Sequence, residues 1–216
     1  MAMLFLTGTA AASAQYYEIA NQLPGLIQPA LLGGFNYKGY VDAHYARALG
    51  NYQADFVGVS TSQGWKYRDW FFMGVGIGVE GIMSHTDSGY GQWGDAQQPD
   101  MDGRSTRTGG VMIPIFTDFR FNIGAQNKAS FFIDVKLGCS FLLGRDYVQI
   151  HNGYLTNQEY FYLRPTLGVR IPVNSANPKQ AINVGVEYQL LTANYWSSWN
   201  RDVTLNALGA SISYEW

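Results

Sequence analysis

Residues 69–85 read DWFFMGVGIGVEGIMSH, and this stretch decides the fold. Side chains alternate between the two faces of a strand, and here one face is apolar and the other small or charged. A helix would spread the glycines around its surface and lose stability at each. The stretch is therefore predicted to be a strand, long enough for a bilayer crossing of about 9–11 residues. The apolar face carries Phe71, Met73, Val75, Ile77, Val79 and Met83, opposite Gly74, Gly76, Gly78 and Glu80.

The same alternation recurs along the chain, and eight is the strand number of the smallest membrane barrels. Short connections at 67–68, 124–128 and 174–179 alternate with longer ones at 85–108, 144–159 and 192–202, with 49–53 as the exception. Tight turns on one side and longer loops on the other are typical of outer-membrane barrels. The predicted fold is an all-β, eight-stranded, antiparallel up-and-down transmembrane barrel. Its predicted strands are 38–48, 54–66, 69–84, 109–123, 129–143, 160–172, 181–191 and 203–216.

The composition excludes several classes of protein. Charged residues make up only 14% of the 216 residues and aromatic residues 15%, and there are 25 glycines. No run of about 18 apolar residues occurs, which excludes a helical membrane protein. A net charge of -2 provides no basic field for nucleic acid. The single cysteine, Cys139, excludes an internal disulfide.

The first residues have the features of an export signal. Residues 1–14 are apolar and then small, and Ala12-Ser13-Ala14 matches an A-x-A cleavage site. A buried N-terminal strand or helix is the alternative. Residues 15–37 are interpreted as a periplasmic leader, in which Pro24 and Pro29 interrupt any long helix. The domain organisation is then a signal remnant at 1–14, a leader at 15–37 and a barrel at 38–216.

A barrel whose strands alternate apolar and polar side chains can place either face inside. A soluble, lipocalin-like ligand-binding barrel would place the apolar face inside. The long strands and the glycines on the polar face favour the opposite, because a narrow eight-stranded interior has room only for side chains. An unpaired charge in that interior costs several kcal/mol, so ion pairs should fill the lumen and close it to conduction. The predicted lumen network consists of Asp42, His44, Glu80, Asp118, Arg120, Asp134, Lys136, Arg164, Arg170 and Glu187.

The second predicted strand fits the alternation least well. Gln63 falls on its apolar side, between Thr61 and Trp65. A β-bulge, which shifts the register by one residue, is the expected reason.

Four stretches carry a family resemblance: KGYVDAHYARALGNY, STSQGWKYRDWFFMGVGIGVE, IPIFTDFRFNI and FFIDVKLG. With them, residues 38–216 resemble the small outer-membrane β-barrel proteins of Gram-negative bacteria, similar to the OmpA transmembrane domain. The resemblance implies a bacterial outer-membrane location, periplasmic N- and C-termini, and contact with lipid and lipopolysaccharide. It brings no catalytic residues and no cofactor. The final strand resembles the signal read by the barrel-assembly machinery during insertion, carried here by Ile212, Tyr214 and Trp216.

The function indicated by these features is a structural or surface-interaction protein without catalysis. Docking to another outer-membrane protein, through the leader, is a further hypothesis. The loop aromatic residues are either an interfacial girdle or a surface for recognition of glycan or protein. These residues are Trp93, Tyr147, Tyr154, Trp196 and Trp199.

A lipid-modifying outer-membrane enzyme, an acyltransferase or a deacylase, is the alternative. Such chemistry needs a His with a Ser and an acid near the outer rim. The residue types occur at His85 with Ser84, Asp87 and Ser88, and at His151. Proximity in sequence does not establish a triad, and no catalytic residue is assigned.

An acidic loop offers carboxylates to a cation. Asp95, Asp100 and Asp102 lie close together in it, but the Glu that closes an EF-hand loop is absent. The interpretation is a solvated acidic turn, and no metal site is predicted.

Overall fold

Eight long strands form a closed antiparallel barrel in the computed structural model. The structure describes residues 35–50, 54–84, 106–107, 109–144, 147–150, 153–155, 159–173, 179–193 and 204–216. The strands are β1 (Phe35–Ala48), β2 (Ala54–Tyr67), β3 (Phe71–Ser84), β4 (Thr106–Arg107), β5 (Gly109–Ile123), β6 (Ser130–Leu142), β7 (Tyr147–Ile150), β8 (Gly153–Leu155), β9 (Glu159–Pro172), β10 (Ala181–Thr192) and β11 (Thr204–Glu215). The order around the barrel is β1-β11-β10-β9-β6-β5-β3-β2. The predicted fold is confirmed.

In the described part of the chain, no helix is long and apolar enough to cross a bilayer.

Three short strands lie where the sequence predicted loops. β7 pairs with β4 in parallel and with β8 antiparallel, forming a separate three-stranded sheet. Val148 of β7 and Leu155 of β8 are fully buried. Strands of two to four residues are too short to show an alternation, and this sheet was therefore missed.

The β2–β3 ladder corrects the expectation for Gln63. Each residue of β2 pairs with one residue of β3 without interruption, and Gln63 lies opposite Val75. The expected bulge is absent from this ladder. The Gln63 amide remains on the outer face because it finds local partners: Nε2 donates to Thr61 Oγ1 at 3.0 Å, and Tyr37 Oη donates to Oε1.

The two ends of the barrel differ. The end at which β1 begins and β11 ends also carries the connections at 68–70, 124–129 and 173–180, and it is called the turn end. The opposite end is called the loop end. Two residues at the turn end have left-handed backbone conformations, Arg68 with φ 46° and Gly124 with φ 126°. These conformations reverse the chain in the β2–β3 and β5–β6 connections.

Apolar side chains cover the outside of the barrel. Val75 is 66% exposed, Ile77 51% and Ile115 50%, whereas Asp118 and Lys136 are buried. This arrangement is opposite to that of a soluble ligand-binding barrel, which would place the apolar set inside. A continuous exposed apolar surface of this kind is suited to hydrocarbon. Cys139 is also exposed on this surface.

Candidate functional site

The barrel interior is the candidate site, because the strand alternation directs the charged side chains into it. All ten residues of the lumen network named from the sequence are buried. They do not form one cluster. Their contacts divide the interior into three levels, which follow one another from the turn end towards the loop end.

Glu215 is the centre of the turn-end level. Its Oε1 lies 3.1 Å from Lys38 Nζ and 3.4 Å from Lys66 Nζ, and its Oε2 accepts a hydrogen bond from Arg170 Nε at 2.7 Å. One carboxylate of β11 therefore contacts cations from β1, β2 and β9. Charge-assisted hydrogen bonds of this kind are about twice as strong as neutral ones.

The same cations hold the turns of the barrel. Arg170 Nη1 donates to the carbonyl oxygen of Gln126 at 3.0 Å, and Lys38 Nζ donates to the carbonyl oxygen of Lys179. Gln126 lies in the β5–β6 connection and Lys179 in the β9–β10 connection. The turn-end level thus links the lumen to two of the connections outside it.

Arg120 and Lys136 form the middle level with two aspartates. Arg120 Nη2 lies 2.9 Å from Asp134 Oδ2 and 3.4 Å from Asp42 Oδ1. Lys136 Nζ contacts Asp134 Oδ2 and lies 3.6 Å from Asp42 Oδ2. The Arg120 guanidinium also stacks over the Tyr40 ring, 3.9 Å from its centroid, which adds a cation–π contact. These contacts connect β1, β5 and β6 across the lumen.

Asp118 belongs to the same level but has a different kind of partner. Ser62 Oγ donates a hydrogen bond to Asp118 Oδ2 at 2.5 Å. Asp118 also lies opposite Lys136 in the β5–β6 ladder. A neutral hydroxyl is thus the hydrogen-bond donor to this carboxylate.

Arg164, His44 and Glu80 form the third level. Arg164 Nη1 lies 2.6 Å from His44 Nδ1, and His44 Nε2 lies 3.5 Å from Glu80 Oε2. A guanidinium can only donate, so Nδ1 accepts and Nε2 carries the ring proton that faces Glu80. Gln189 Nε2 donates to Glu80 Oε1, and Arg164 Nε lies 3.8 Å from Glu187 Oε2. The level joins β1, β3, β9 and β10.

An apolar cluster fills the loop end of the interior. Phe116 and Tyr162 lie with their rings 6.0 Å apart, and Val148 and Leu155 of the small sheet belong to the same cluster. Its other members are Ala46, Ala48, Ala54, Phe56, Ile82, Met112, Leu142, Tyr160, Leu191, Ala193, Leu205 and Ala207. Across the described residues, side chains therefore occupy the interior from the turn end to the loop end.

Three charged residues of the turn-end level were not predicted from the sequence: Lys38, Lys66 and Glu215. Each lies an even number of residues from the inward-facing residues of its own strand. The alternation of the sequence could therefore have predicted that it faces the lumen. All three lie near the ends of their strands. With these three and Asp55, the buried groups comprise six Lys and Arg, seven Asp and Glu, and His44. The interior charges nearly cancel.

The described residues offer few groups for other chemistry. They contain no cluster of three or more His, Cys, Asp or Glu side chains arranged to hold a metal ion. His44 is the one described histidine, and it lies inside the lumen. The Ser60 hydroxyl of the same level accepts a hydrogen bond from Arg164 Nη2 at 3.3 Å.

The remaining predicted residues are placed only in part. Ile212, Tyr214 and Trp216 are exposed on the outer face of β11 and just beyond it. Tyr147 begins β7, Tyr154 lies in β8, and Ser84 ends β3. The signal remnant and residues 15–34 of the leader lie outside the described residues. So do Trp93, Trp196, Trp199, His85, Asp87, Ser88, Asp95, Asp100, Asp102 and His151.

Comparisons with known proteins identify the fold. No family model matches the sequence, and no curated protein matches it. Among solved structures, Neisserial surface protein A is 14% identical, with 84% of this chain and 97% of that chain covered and a TM-score of 0.53. This chain thus has the fold of a small outer-membrane β-barrel, and the likeness extends to the fold alone.

Two further structures match at lower scores. The outer membrane enzyme PagL is 13% identical, covers 82% of this chain and 97% of its own, and has a TM-score of 0.49. The N-terminal β-barrel domain of Pseudomonas aeruginosa OprF is 9% identical, covers 83% and 97%, and has a TM-score of 0.43.

Proposed function

We propose that this chain spans the bacterial outer membrane as a non-conducting barrel with a structural or surface-interaction role. The turn end and both termini lie in the periplasm, and the loop end faces outwards. Two findings support this proposal: the exposed apolar surface of the wall and the fold shared with Neisserial surface protein A. In this position the wall contacts lipid, and the loop end contacts lipopolysaccharide.

The filled lumen is the observation that carries the non-conducting role. An ion moving along the axis would have to separate Glu215 from its three cations, and then Arg120 from Asp134. Breaking one buried pair costs about 3–5 kcal/mol. The cluster at the loop end is apolar apart from the hydroxyls of Tyr160 and Tyr162, which are too few to replace a hydration shell. The interior is therefore a core and not a path.

The loop end is the proposed side for interaction with other molecules. Connections on surfaces vary and carry binding residues more often than the elements they join. The candidate recognition residues remain Trp93, Tyr147, Tyr154, Trp196 and Trp199. An outer-membrane protein partner would dock through residues 15–37. During insertion, the exposed side chains of Ile212, Tyr214 and Trp216 would contact the barrel-assembly machinery.

The proposal assigns no enzymatic activity. A lipid-modifying enzyme needs a histidine, a nucleophile and an acid at the outer rim. Within the described residues, His44 instead lies in the lumen between Arg164 and Glu80. There it serves an ion-pair network and has no access to a lipid.

Two measurements test the proposal, one on fractionated cells and one on the purified chain. Heat-modifiable gel mobility after fractionation of the outer membrane reports a folded membrane barrel, and planar-bilayer recording reports conduction. We expect a faster-migrating unheated form in the outer-membrane fraction and current at the background of protein-free bilayers. Recovery of the chain in the soluble fraction, or regular unitary currents from the wild type, contradicts the proposal.

A further inference from the structure

The turn end of the barrel carries an excess of positive charge. Arg68 lies in the β2–β3 connection, Lys128 in the β5–β6 connection and Lys179 in the β9–β10 connection, and all three side chains are exposed. Asp69 is the exposed acid beside Arg68. Each of the three tight connections therefore presents one cation to the outside.

The turn-end level of the lumen does not neutralise this excess. Just inside the turn end, Glu215 faces Lys38, Lys66 and Arg170, which leaves two positive charges beyond the one carboxylate. None of the other described residues forms an ion pair with Arg68, Lys128 or Lys179. At the loop end, by contrast, the charged residues in the described part of the chain are two cations and two acids: Arg47 and Arg107, Asp55 at 4.0 Å from Arg47, and the exposed Glu159. The barrel is thus polarised along its axis.

Aromatic side chains fix the depth of these cations in a bilayer. Trp65 is 59% exposed, Trp70 49% and Trp216 39%, and all three lie at the turn end. Tryptophan and tyrosine rings prefer the headgroup level of a membrane. The ring of Tyr67 lies beneath the Arg68 guanidinium, whose carbon is 5.4 Å from the ring centroid. The guanidinium is therefore held at the outer wall, at the level where lipid phosphates lie.

We propose that Arg68, Lys128 and Lys179 form a rim that binds the headgroups of anionic phospholipids in the leaflet at the turn end. The inference rests on the proposed membrane location and adds a lipid class to it. Lys and Arg side chains near an anionic membrane surface each favour binding by about fivefold. A guanidinium also forms paired hydrogen bonds with a lipid phosphate. In a zwitterionic headgroup, the cation of the headgroup itself screens that phosphate.

The test uses quenching of tryptophan fluorescence by brominated lipids. The starting chain carries Trp93→Phe, Trp196→Phe and Trp199→Phe, so that emission comes from the turn-end tryptophans. It is reconstituted in phosphatidylcholine vesicles that contain phosphatidylglycerol, with one of the two lipids brominated. We expect brominated phosphatidylglycerol to quench at least fivefold more per molecule than brominated phosphatidylcholine, and this preference to fall in 1 M salt.

Matched variants assign the preference to the rim. The triple variant Arg68→Asn, Lys128→Gln, Lys179→Gln should quench equally with either lipid. Asn tolerates the left-handed backbone at position 68, so folding is retained. Arg47→Gln, at the loop end, removes an exposed cation and should keep the full preference. The inference is overturned if both lipids quench equally in the chain that keeps Arg68, Lys128 and Lys179. It is also overturned if the triple variant keeps the full preference for brominated phosphatidylglycerol. Absence of quenching by either lipid instead overturns the membrane location.

Discussion

The backbones of Gly39 and Trp216 exchange two hydrogen bonds where the barrel closes. Trp216 N donates to Gly39 O at 3.1 Å, and Gly39 N donates to Trp216 O at 3.3 Å. The Trp216 indole also covers Gly39, in the space that a side chain at position 39 would occupy. The β1–β11 seam thus depends on the absence of a side chain at one residue and the presence of a large one at the other.

Gly39→Val should weaken this seam. A Cβ at position 39 would overlap the Trp216 ring and lie 2.7 Å from Gln63 Oε1. Overpacking of this kind costs about 1–3 kcal/mol. We expect this variant to unfold at a lower midpoint concentration of urea than the wild type. Heat-modifiable gel mobility reports the unfolding. Val41→Leu enlarges an exposed side chain two residues further along β1 and should leave the midpoint unchanged. Equal midpoints for Gly39→Val and wild type would contradict the packing described.

Glu215→Gln should destabilise the barrel more strongly than loss of an exposed carboxylate. The substitution leaves Lys38, Lys66 and Arg170 around a neutral amide, and removal of one partner of buried ion pairs costs about 3–5 kcal/mol. Glu159→Gln, at an exposed site, should change the free energy of unfolding by less than about 0.5 kcal/mol. Urea unfolding measures both.

A second substitution separates charge from packing at Glu215. Lys66→Met removes one of the three cations and keeps most of the side-chain volume. Added to Glu215→Gln, it should restore part of the lost stability. A double variant less stable than Glu215→Gln alone would show that the loss has another cause.

The period-two pattern was sufficient to predict the eight strands and the direction of their faces, as the inward positions of Asp118 and Lys136 illustrate. It could not predict which charged groups meet. His44 and Arg164 are 120 residues apart and come together only through the stagger of strands around the barrel. The position of Gln63 was misread for a similar reason. Its partner Tyr37 lies on the neighbouring strand, and sequence alternation contains no information about it.

Asp134→Asn should cost far more stability than Asp118→Asn, although both carboxylates are buried in one level. Asp134 contacts Arg120 at 2.9 Å and also Lys136, so its neutralisation leaves two cations with weaker partners. The hydrogen bond to Asp118 comes from Ser62, and an asparagine oxygen accepts it equally well. We expect the free energy of unfolding to fall by about 3–5 kcal/mol for Asp134→Asn and by about 1 kcal/mol for Asp118→Asn. Unfolding midpoints that rank the two variants in the opposite order would refute this account of the middle level.

Gly76→Val should fold poorly in the wild-type lumen and fold better when the opposite side chain is shortened. Gly76 of β3 lies opposite Phe116 of β5 in the ladder, and a Cβ at position 76 would overlap the Phe116 ring. The ring fills the space that glycine leaves in the narrow interior, as expected for a barrel of eight strands. We therefore expect Gly76→Val to reduce the yield of the folded, faster-migrating form on unheated gels. Combined with Phe116→Ala, it should recover only part of that yield, because the ring overlap is removed but the Thr61 carbonyl oxygen still lies 2.7 Å from the new Cβ. Gly81→Ala is the control, since a Cβ there would lie 3.6 Å from Val57 in ordinary contact. If Gly76→Val alone folds as well as Gly81→Ala, the Phe116 ring does not occupy the space beside Gly76.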